Sequence, residues 1–218
     1  MEKAITFIIV IMGWVFSLCL HEFSHAVVAY YGGDTSVKDK GYLTFNPFKY
    51  THPVYSIVLP VVFLLLGGIG LPGGAVFIET WRLRSKRWES AVSLAGPASN
   101  LVLAIFLAII LNFLPVSSSG IWPGLAFLSL IEISALVLNL LPFPPFDGYR
   151  ALAPFLNRQL RVNIDQYSNI IMIVVFVVLW YVPFVNDFFW LAVGWISLHM
   201  QIPVSLAMLG LNQFQFWR

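Results

Sequence analysis

The chain has little charge: Asp, Glu, Lys and Arg make up only 10% of its 218 residues, whereas 59% are hydrophobic. That balance excludes an ordinary soluble domain. The single cysteine, Cys19, excludes an internal disulfide. The net charge of +2 is small and its basic residues fall in short loops, so we expect no nucleic-acid partner. No polar interval is long enough to build a separate soluble core.

What the chain has instead is long apolar runs, with a mean hydropathy of +0.84. Five of them approach the ~20 residues that cross a ~30 Å hydrocarbon core. They are residues 4–31, 54–71, 91–114, 122–142 and 168–210, and the last is long enough for two helices divided near Val182-Pro183 and Asn186-Asp187. We therefore predict an all-α polytopic membrane protein with about five transmembrane helices. It forms a single domain, residues 1–218, embedded in the lipid bilayer.

The positions of Lys and Arg predict the orientation in the membrane. Basic residues flank the third and fourth apolar runs, whereas the loop between those runs has no charge; they are Arg82, Arg84, Lys86 and Arg87 before residue 91, and Arg150, Arg158 and Arg161 after residue 142. Because basic loops stay on the cytoplasmic side, we expect a multi-pass protein of the cell membrane with both loops in the cytoplasm.

The segment 53–81 has two interpretations. If the basic first loop is also cytoplasmic, this segment must enter the membrane and return to the same side. It would do so as a helix over 54–66, a glycine-rich break over 67–74 and an extended strand over 75–78. The alternative is a segment that crosses the membrane once.

A short polar motif, His21-Glu22-Phe23-Ser24-His25, interrupts the first apolar run. Two histidines four residues apart lie on one helical face, where they can bind one zinc ion, and the adjacent glutamate can act as a general base towards water. The alternative is a chance match to three fixed letters. Three ionisable side chains in a membrane-spanning helix cost about 2 to 3 kcal/mol each, which argues against chance.

A lone carboxylate, Asp147, follows the fourth apolar run in a proline-rich stretch, at the same end of the membrane as the histidine motif. Two histidines and one carboxylate, with a fourth position for water, are typical of a catalytic zinc site. Taken alone, Asp147 would instead be a helix cap or turn residue before Gly148.

These motifs resemble those of the site-2 protease family of intramembrane zinc metalloproteases. The resemblance rests on HEFSH at 21–25, on N-x-x-P-x-P-x-x-D-G at 139–148, on GPASN at 96–100, which looks like the family's G-P-x-x-N, and on GYLTFNP at 41–47. It implies a short, minimal member without regulatory domains. The implied reaction is zinc-dependent hydrolysis of a peptide bond within or near a transmembrane helix of a substrate protein.

The resemblance also implies roles for individual residues. His21, His25 and Asp147 would bind one Zn²⁺ per chain, Glu22 would activate water, and Asn139 would stabilise the oxyanion or position the substrate. The 41–80 region would hold the re-entrant elements beside which substrate is clamped. We expect substrate contacts from Asn139, Asn46, Gly73, Gly74 and Asn100, in an active site near the cytoplasmic face.

Two departures and two rival functions stay open. Relatives often have Asp where this chain has His52, and an amide where it has Glu132. We expect Glu132 to have a polar partner such as Asn100.

One rival function is a catalytically inactive relative that binds membrane helices as a scaffold. The other is a transporter with an ion relay of His, Glu and Asp, although no internal repeat of the transporter kind is present. The sequence is compatible with a homo-oligomer in the membrane.

Overall fold

The computed structural model describes residues 1–49 and 76–217. Within these residues the secondary structure is entirely helical, which confirms the all-α class. The α-helices are α1 (Glu2–Gly32), α2 (Ser36–Asp39), α3 (Lys86–Phe113), α4 (Trp122–Asn139), α5 (Asp147–Leu152), α6 (Arg158–Asp165), α7 (Ser168–Tyr181), α8 (Pro183–His199) and α9 (Val204–Phe214); 3₁₀ turns span Pro47–Lys49, Thr80–Arg82 and Ala153–Phe155.

Local sequence signals explain where the two long outer helices end or begin. Helix α1 stops at Gly33, whose φ of 121° is accessible to glycine and strained for other residues. Helix α3 begins after Ser85, whose hydroxyl accepts a hydrogen bond from the backbone N–H of Trp88. Helix α1 therefore extends slightly beyond its apolar run at both ends, and α3 begins before its own run.

Helix α4 lies at the centre of the structure and packs against α1, α3, α8 and α9. Its buried residues, which include Phe127 and Ile131, pack with Trp14 of α1 and Phe214 of α9. The approach of α9 is close because Gly210 has no side chain, and a Cβ there would collide with the carbonyl of Pro123. Packing at this density holds α1, α3 and α4 in fixed register, which matters for the site between them.

The outer face of α1 is apolar and exposed. Ile8, Met12 and Phe16, spaced four residues apart, expose 59%, 67% and 50% of their surface. An exposed apolar stripe of this length would be costly in water and is suited to contact with lipid chains. The opposite face of α1 is buried in the protein.

In the described part of the chain, fewer helices are long and apolar enough to span a membrane than the five predicted. Among the described residues, α1, α3 and α4 are long and apolar enough to cross, with a fourth span if α6 and α7, bent by 65°, count as one. The region 168–210 was expected to supply one or two spans. Pro183 and the turn around Gln201, where φ is 55°, divide it into helices of 14, 17 and 11 residues. The predicted split near Val182-Pro183 is confirmed, because α7 ends at Tyr181 and α8 begins at Pro183, whereas Asn186 and Asp187 lie inside α8.

The re-entrant prediction can be followed only at its end. Residues 53–75, with the predicted helix, the glycine-rich break, Gly73 and Gly74, lie outside the described residues. Residues 76–78 belong to an irregular segment rather than the predicted strand. Side chains hold this segment in place: the backbone N–H of Glu79 donates to Asp34 Oδ2 at 2.7 Å, and Lys40 Nζ donates to the carbonyl of Phe77 at 3.2 Å.

The basic loops gather at one end of the helices. The backbone N–H of Arg84 donates to the carbonyl of Gly32 at the end of α1, with a distance of 2.9 Å. Ser90 Oγ donates to the carbonyl of Ala151 at 2.6 Å, and Arg161 pairs with Glu89 at 2.6 Å. The loops predicted to share one side of the membrane therefore meet at the same end of the protein.

Candidate metal centre

Helix α1 presents His21, Glu22 and His25 towards the protein interior. Their exposed fractions are only 6%, 4% and 6%. The two histidines lie one helical turn apart, and their Nε2 atoms are separated by 3.0 Å. The geometry is the one that the four-residue spacing predicts for a straight helix.

Asp147, the first residue of α5, completes the cluster. Its Oδ2 atom lies 3.2 Å from His21 Nε2 and 3.5 Å from His25 Nε2. The loop 140–146 brings it there by folding back on itself, so that Gly148 packs directly against the carbonyl of Leu140. A side chain at position 148 would prevent this approach.

The three donor atoms fit a zinc ion. Ligands about 2.0 to 2.1 Å from a tetrahedral zinc are about 3.3 Å apart, which is close to the three distances observed. The space beside both Nε2 atoms is kept open by Gly96 of α3, because a Cβ there would fall under 3.0 Å from each of them. The donors and the space they surround therefore suit one small cation.

Hydrogen bonds that Nδ1 donates hold both imidazole rings. His25 Nδ1 lies 2.6 Å from the carbonyl of Val92, which can only accept, so Nδ1 carries the proton and Nε2 is free to bind a metal. His21 Nδ1 lies 2.7 Å from Asn100 Oδ1.

Glu22 lies in the same cluster, and one of its carboxylate oxygens is within 4.8 Å of a ring nitrogen of each histidine. Its carboxylate is oriented from outside the helix, because the backbone N–H of Val76 donates to Oε2 at 3.0 Å. Val76 precedes the residues that Lys40 and Asp34 hold. Hydrogen bonds from Lys40 and Arg82 lower the pKa of Glu79, so the Glu79 carboxylate stays ionised and paired with both cations. The position of Glu22 is thus tied to the segment that follows the undescribed residues.

The predicted substrate-binding residues have different positions. Asn139 is 3% exposed at the end of α4, where its side chain makes no hydrogen bond to any described residue. Asn100 is buried behind His21, and both ends of its amide are engaged within the protein. The Asn46 carboxamide accepts a hydrogen bond from the backbone N–H of Phe48 in its own turn. Within residues 1–49 and 76–217, the Asn139 amide therefore has no partner, whereas Asn100 and Asn46 already have partners.

Four contributors were not identified from the sequence as parts of the site: the carbonyl of Val92, the N–H of Val76, the missing side chain of Gly96 and the hydroxyl of Ser17. Backbone groups give no signal in a sequence. Ser17, a polar residue one turn before His21 in an apolar run, was the one detectable clue. His199 packs against Trp195, with ring centroids 4.0 Å apart and ring planes tilted by 39°, and its Nδ1 lies 2.8 Å from the Trp195 carbonyl; it belongs to no cluster of metal ligands among the described residues.

Curated relatives of the chain carry metalloprotease names. A protein of Mycolicibacterium smegmatis named "Putative zinc metalloprotease Rip2" is 45% identical over 97% of this chain and 81% of its own length. The protein of the same name from Mycobacterium tuberculosis is 43% identical over the same shares. A similarly named protein of Bacillus subtilis, YwhC, is 33% identical over 75% of this chain and 77% of its own length. No family model and no solved structure matches the chain.

Proposed function

Because the chain belongs to the site-2 protease family of zinc metalloproteases, we propose that it is an intramembrane endopeptidase that cleaves a substrate protein within or near a transmembrane helix. One observation carries the proposal. Three buried donor atoms from His21, His25 and Asp147 lie 3.0 to 3.5 Å apart, and two of them belong to a helix apolar enough to cross a membrane.

Each candidate ligand has a defined task. His21 and His25 would hold the metal through Nε2, and Asp147 would hold it through Oδ2. When bound, zinc would make a water molecule in the site more acidic and polarise the carbonyl of the scissile bond. The missing side chain of Gly96 would leave the space that the ion needs.

Glu22 would serve as the general base. The N–H of Val76 holds one carboxylate oxygen, so the side chain has one preferred orientation. The carboxylate would take a proton from the attacking water and pass it to the leaving amine. A general base must be held within hydrogen-bonding reach of that water, and this backbone contact gives Glu22 a fixed position.

Asn139 would supply a hydrogen bond to the oxyanion that develops on the scissile carbonyl. Its amide is not used by the described residues, and the fold brings its neighbour Leu140 against Gly148, the neighbour of Asp147. A preorganised donor of this kind acts most strongly in the transition state.

The depth of the site determines what the substrate must do. His25 precedes Gly32, the last residue of α1, by about 10 Å of helix. The basic loops meet at that end of the protein, which supports a cytoplasmic location for it. A substrate helix hides its carbonyl carbons, so it must unwind locally before it can be cut, and helix-breaking residues should help.

The proposal is tested with the purified protein reconstituted in lipid vesicles together with tagged single-span reporter proteins. We expect each chain to hold one zinc ion, and mass spectrometry should locate the cut inside the reporter's apolar segment. Treatment with a chelator should abolish cleavage and added zinc should restore it. Cleavage confined to soluble loops would refute the intramembrane site, and an active enzyme without zinc would refute the metal assignment.

A further inference from the structure

A buried polar cluster lies behind His21, on the side away from the candidate metal position. It joins Ser17 of α1, Asn100 of α3 and Glu132 of α4, which are 1%, 3% and 0% exposed. Glu132 Oε2 accepts hydrogen bonds from Ser17 Oγ at 2.6 Å and from Asn100 Nδ2 at 2.8 Å. The cluster therefore connects three helices through one carboxylate oxygen.

The cluster allows only one orientation of the Asn100 amide. An amide has a donor end and an acceptor end, and a carboxylate can only accept. The Ser17 hydroxyl donates to Glu132, so it accepts from Asn100 Nδ2, 3.1 Å away. Both neighbours thus require the NH₂ group of Asn100, and its oxygen must face His21 Nδ1.

The orientation of the amide decides which nitrogen of His21 carries the proton. With the amide oxygen at 2.7 Å, Nδ1 must donate, and Nε2 keeps the lone pair that a metal needs. A reversed amide would offer an N–H to Nδ1. The proton of a neutral ring would then sit on Nε2 and block metal binding.

A glutamate at position 132 lowers the stability of the fold. Its second oxygen, Oε1, is buried and has no hydrogen-bond partner in the described part of the chain. Leaving such an atom unpaired costs about 1 to 3 kcal/mol, and an apolar side chain of similar size would pack without that cost. The stability of the fold therefore does not explain why position 132 has a carboxylate. The need to orient the Asn100 amide does explain it.

We propose that Glu132 is a positioning residue of the metal centre: through Asn100, it holds His21 in the tautomer that binds zinc. The inference rests on the proposed function, because it needs a metal at His21. Partners of metal-bound histidines typically contribute 10- to 100-fold to metal affinity. Glu132 does not contact His21 itself. It would act through Asn100, by allowing only one of the two orientations of the Asn100 amide.

The test compares Glu132→Leu with Glu132→Gln in the full-length protein. Leucine removes the acceptor, whereas glutamine keeps one oxygen that can accept from both Ser17 and Asn100. Zinc affinity is measured by competition with a fluorescent chelator, which needs no substrate. We expect Glu132→Leu to bind zinc about 10- to 100-fold more weakly and Glu132→Gln to bind it nearly as tightly as wild type.

A rescue variant separates positioning from packing. Aspartate at position 100 accepts hydrogen bonds at both ends, so it needs no partner to orient it. The double variant Asn100→Asp/Glu132→Leu keeps one carboxylate in the cluster and should recover most of the lost zinc affinity. The metal-free form of Glu132→Leu should unfold close to the wild-type temperature, because removal of the unpaired Oε1 offsets the loss of the acceptor that Ser17 and Asn100 share.

The outcomes distinguish the two proposals. A wild-type protein that binds no zinc would overturn the proposed metal site itself. If wild type binds zinc and Glu132→Leu binds it equally well, only the positioning role is wrong. Weak binding by Glu132→Leu that the double variant does not restore would assign Glu132 to packing and overturn the inference.

Discussion

Gly96 of α3 lies directly against the Nε2 atom of His25, so that a Cβ at position 96 would fall under 3.0 Å from it. The same Cβ would collide with His21 Nε2, between the two nitrogens that are positioned to bind a metal. A helix interior normally disfavours glycine relative to alanine by about 1 kcal/mol. The absence of a side chain here therefore has a local cost to the helix and leaves room at the site.

The first prediction follows from this contact. Gly96→Ala should place a methyl group in the metal position and abolish stoichiometric zinc binding, measured by elemental analysis of the purified protein. Gly194→Ala, also inside a helix but with nothing within 4 Å of the new methyl, is the matched control and should keep its zinc. A Gly96→Ala protein that retains one zinc per chain would show that the space beside Gly96 is not used.

The second prediction concerns Glu22. Glu22→Gln keeps an oxygen that can accept from the N–H of Val76, so we expect a folded protein with normal zinc content. Because an amide cannot take the proton from water, turnover should fall about 10²- to 10⁴-fold. Cleavage of a reporter in vesicles gives the measurement. The control is Asp187→Asn, which removes a carboxylate from α8 and should leave turnover unchanged. Normal turnover by the Glu22→Gln protein would exclude Glu22 as the base.

The third prediction concerns Asn139. As an oxyanion donor, it acts mainly in the transition state, so Asn139→Ala should lower cleavage per bound zinc about 10²- to 10³-fold. As a structural residue, it would contribute about 1 kcal/mol to stability and nothing to turnover per zinc.

The control for Asn139 is Asn112→Ala in α3. The Asn112 amide bonds the carbonyls of Ala108 and Met200, so its loss should reduce stability and leave turnover per zinc unchanged. Wild-type turnover per zinc in Asn139→Ala would remove Asn139 from the mechanism.

The fourth prediction concerns topology. In a Cys19→Ser background, cysteines at the exposed positions Lys38 and Gln159 should react with a membrane-impermeant thiol reagent only from the cytoplasmic side. A cysteine at exposed Ser118, in the loop between α3 and α4, should react only from outside. Labelling of Lys38 and Ser118 positions from the same face would contradict the proposed orientation.

Local patterns in the sequence predicted the parts of the molecule that depend on neighbouring residues. The apolar runs predicted α1, α3 and α4 because each helix satisfies its own backbone hydrogen bonds in lipid. The spacing of His21 and His25 predicted a shared face because helical periodicity is a local property. Motif order predicted that Asp147 belongs with them, although the sequence contains no distance between these residues.

Local patterns failed where packing overrides composition. Hydropathy does not distinguish a continuous span from three short helices, and the region 168–210 is divided at Pro183 and at the turn around Gln201. The sequence predicted Asn100 as a polar partner of Glu132, and the 2.8 Å hydrogen bond between them confirms it. Its contact with substrate stays a prediction, and the sequence did not indicate that His21 and Ser17 also enclose its amide. Local sequence patterns do not indicate which donor and acceptor atoms of a polar side chain contact residues far away in the chain.

The sequence by itself determined the all-α membrane class, the zinc-binding motif on α1 and the resemblance to a protease family, because these depend on composition and on spacing along the chain. Only the tertiary structure decided that the N–H of Val76 holds Glu22, that Gly96 leaves room beside both histidines and that the predicted pair of Glu132 and Asn100 lies directly behind His21. Those contacts join residues far apart in the chain. Their geometry is set by how α1, α3 and α4 pack together, which no local pattern specifies.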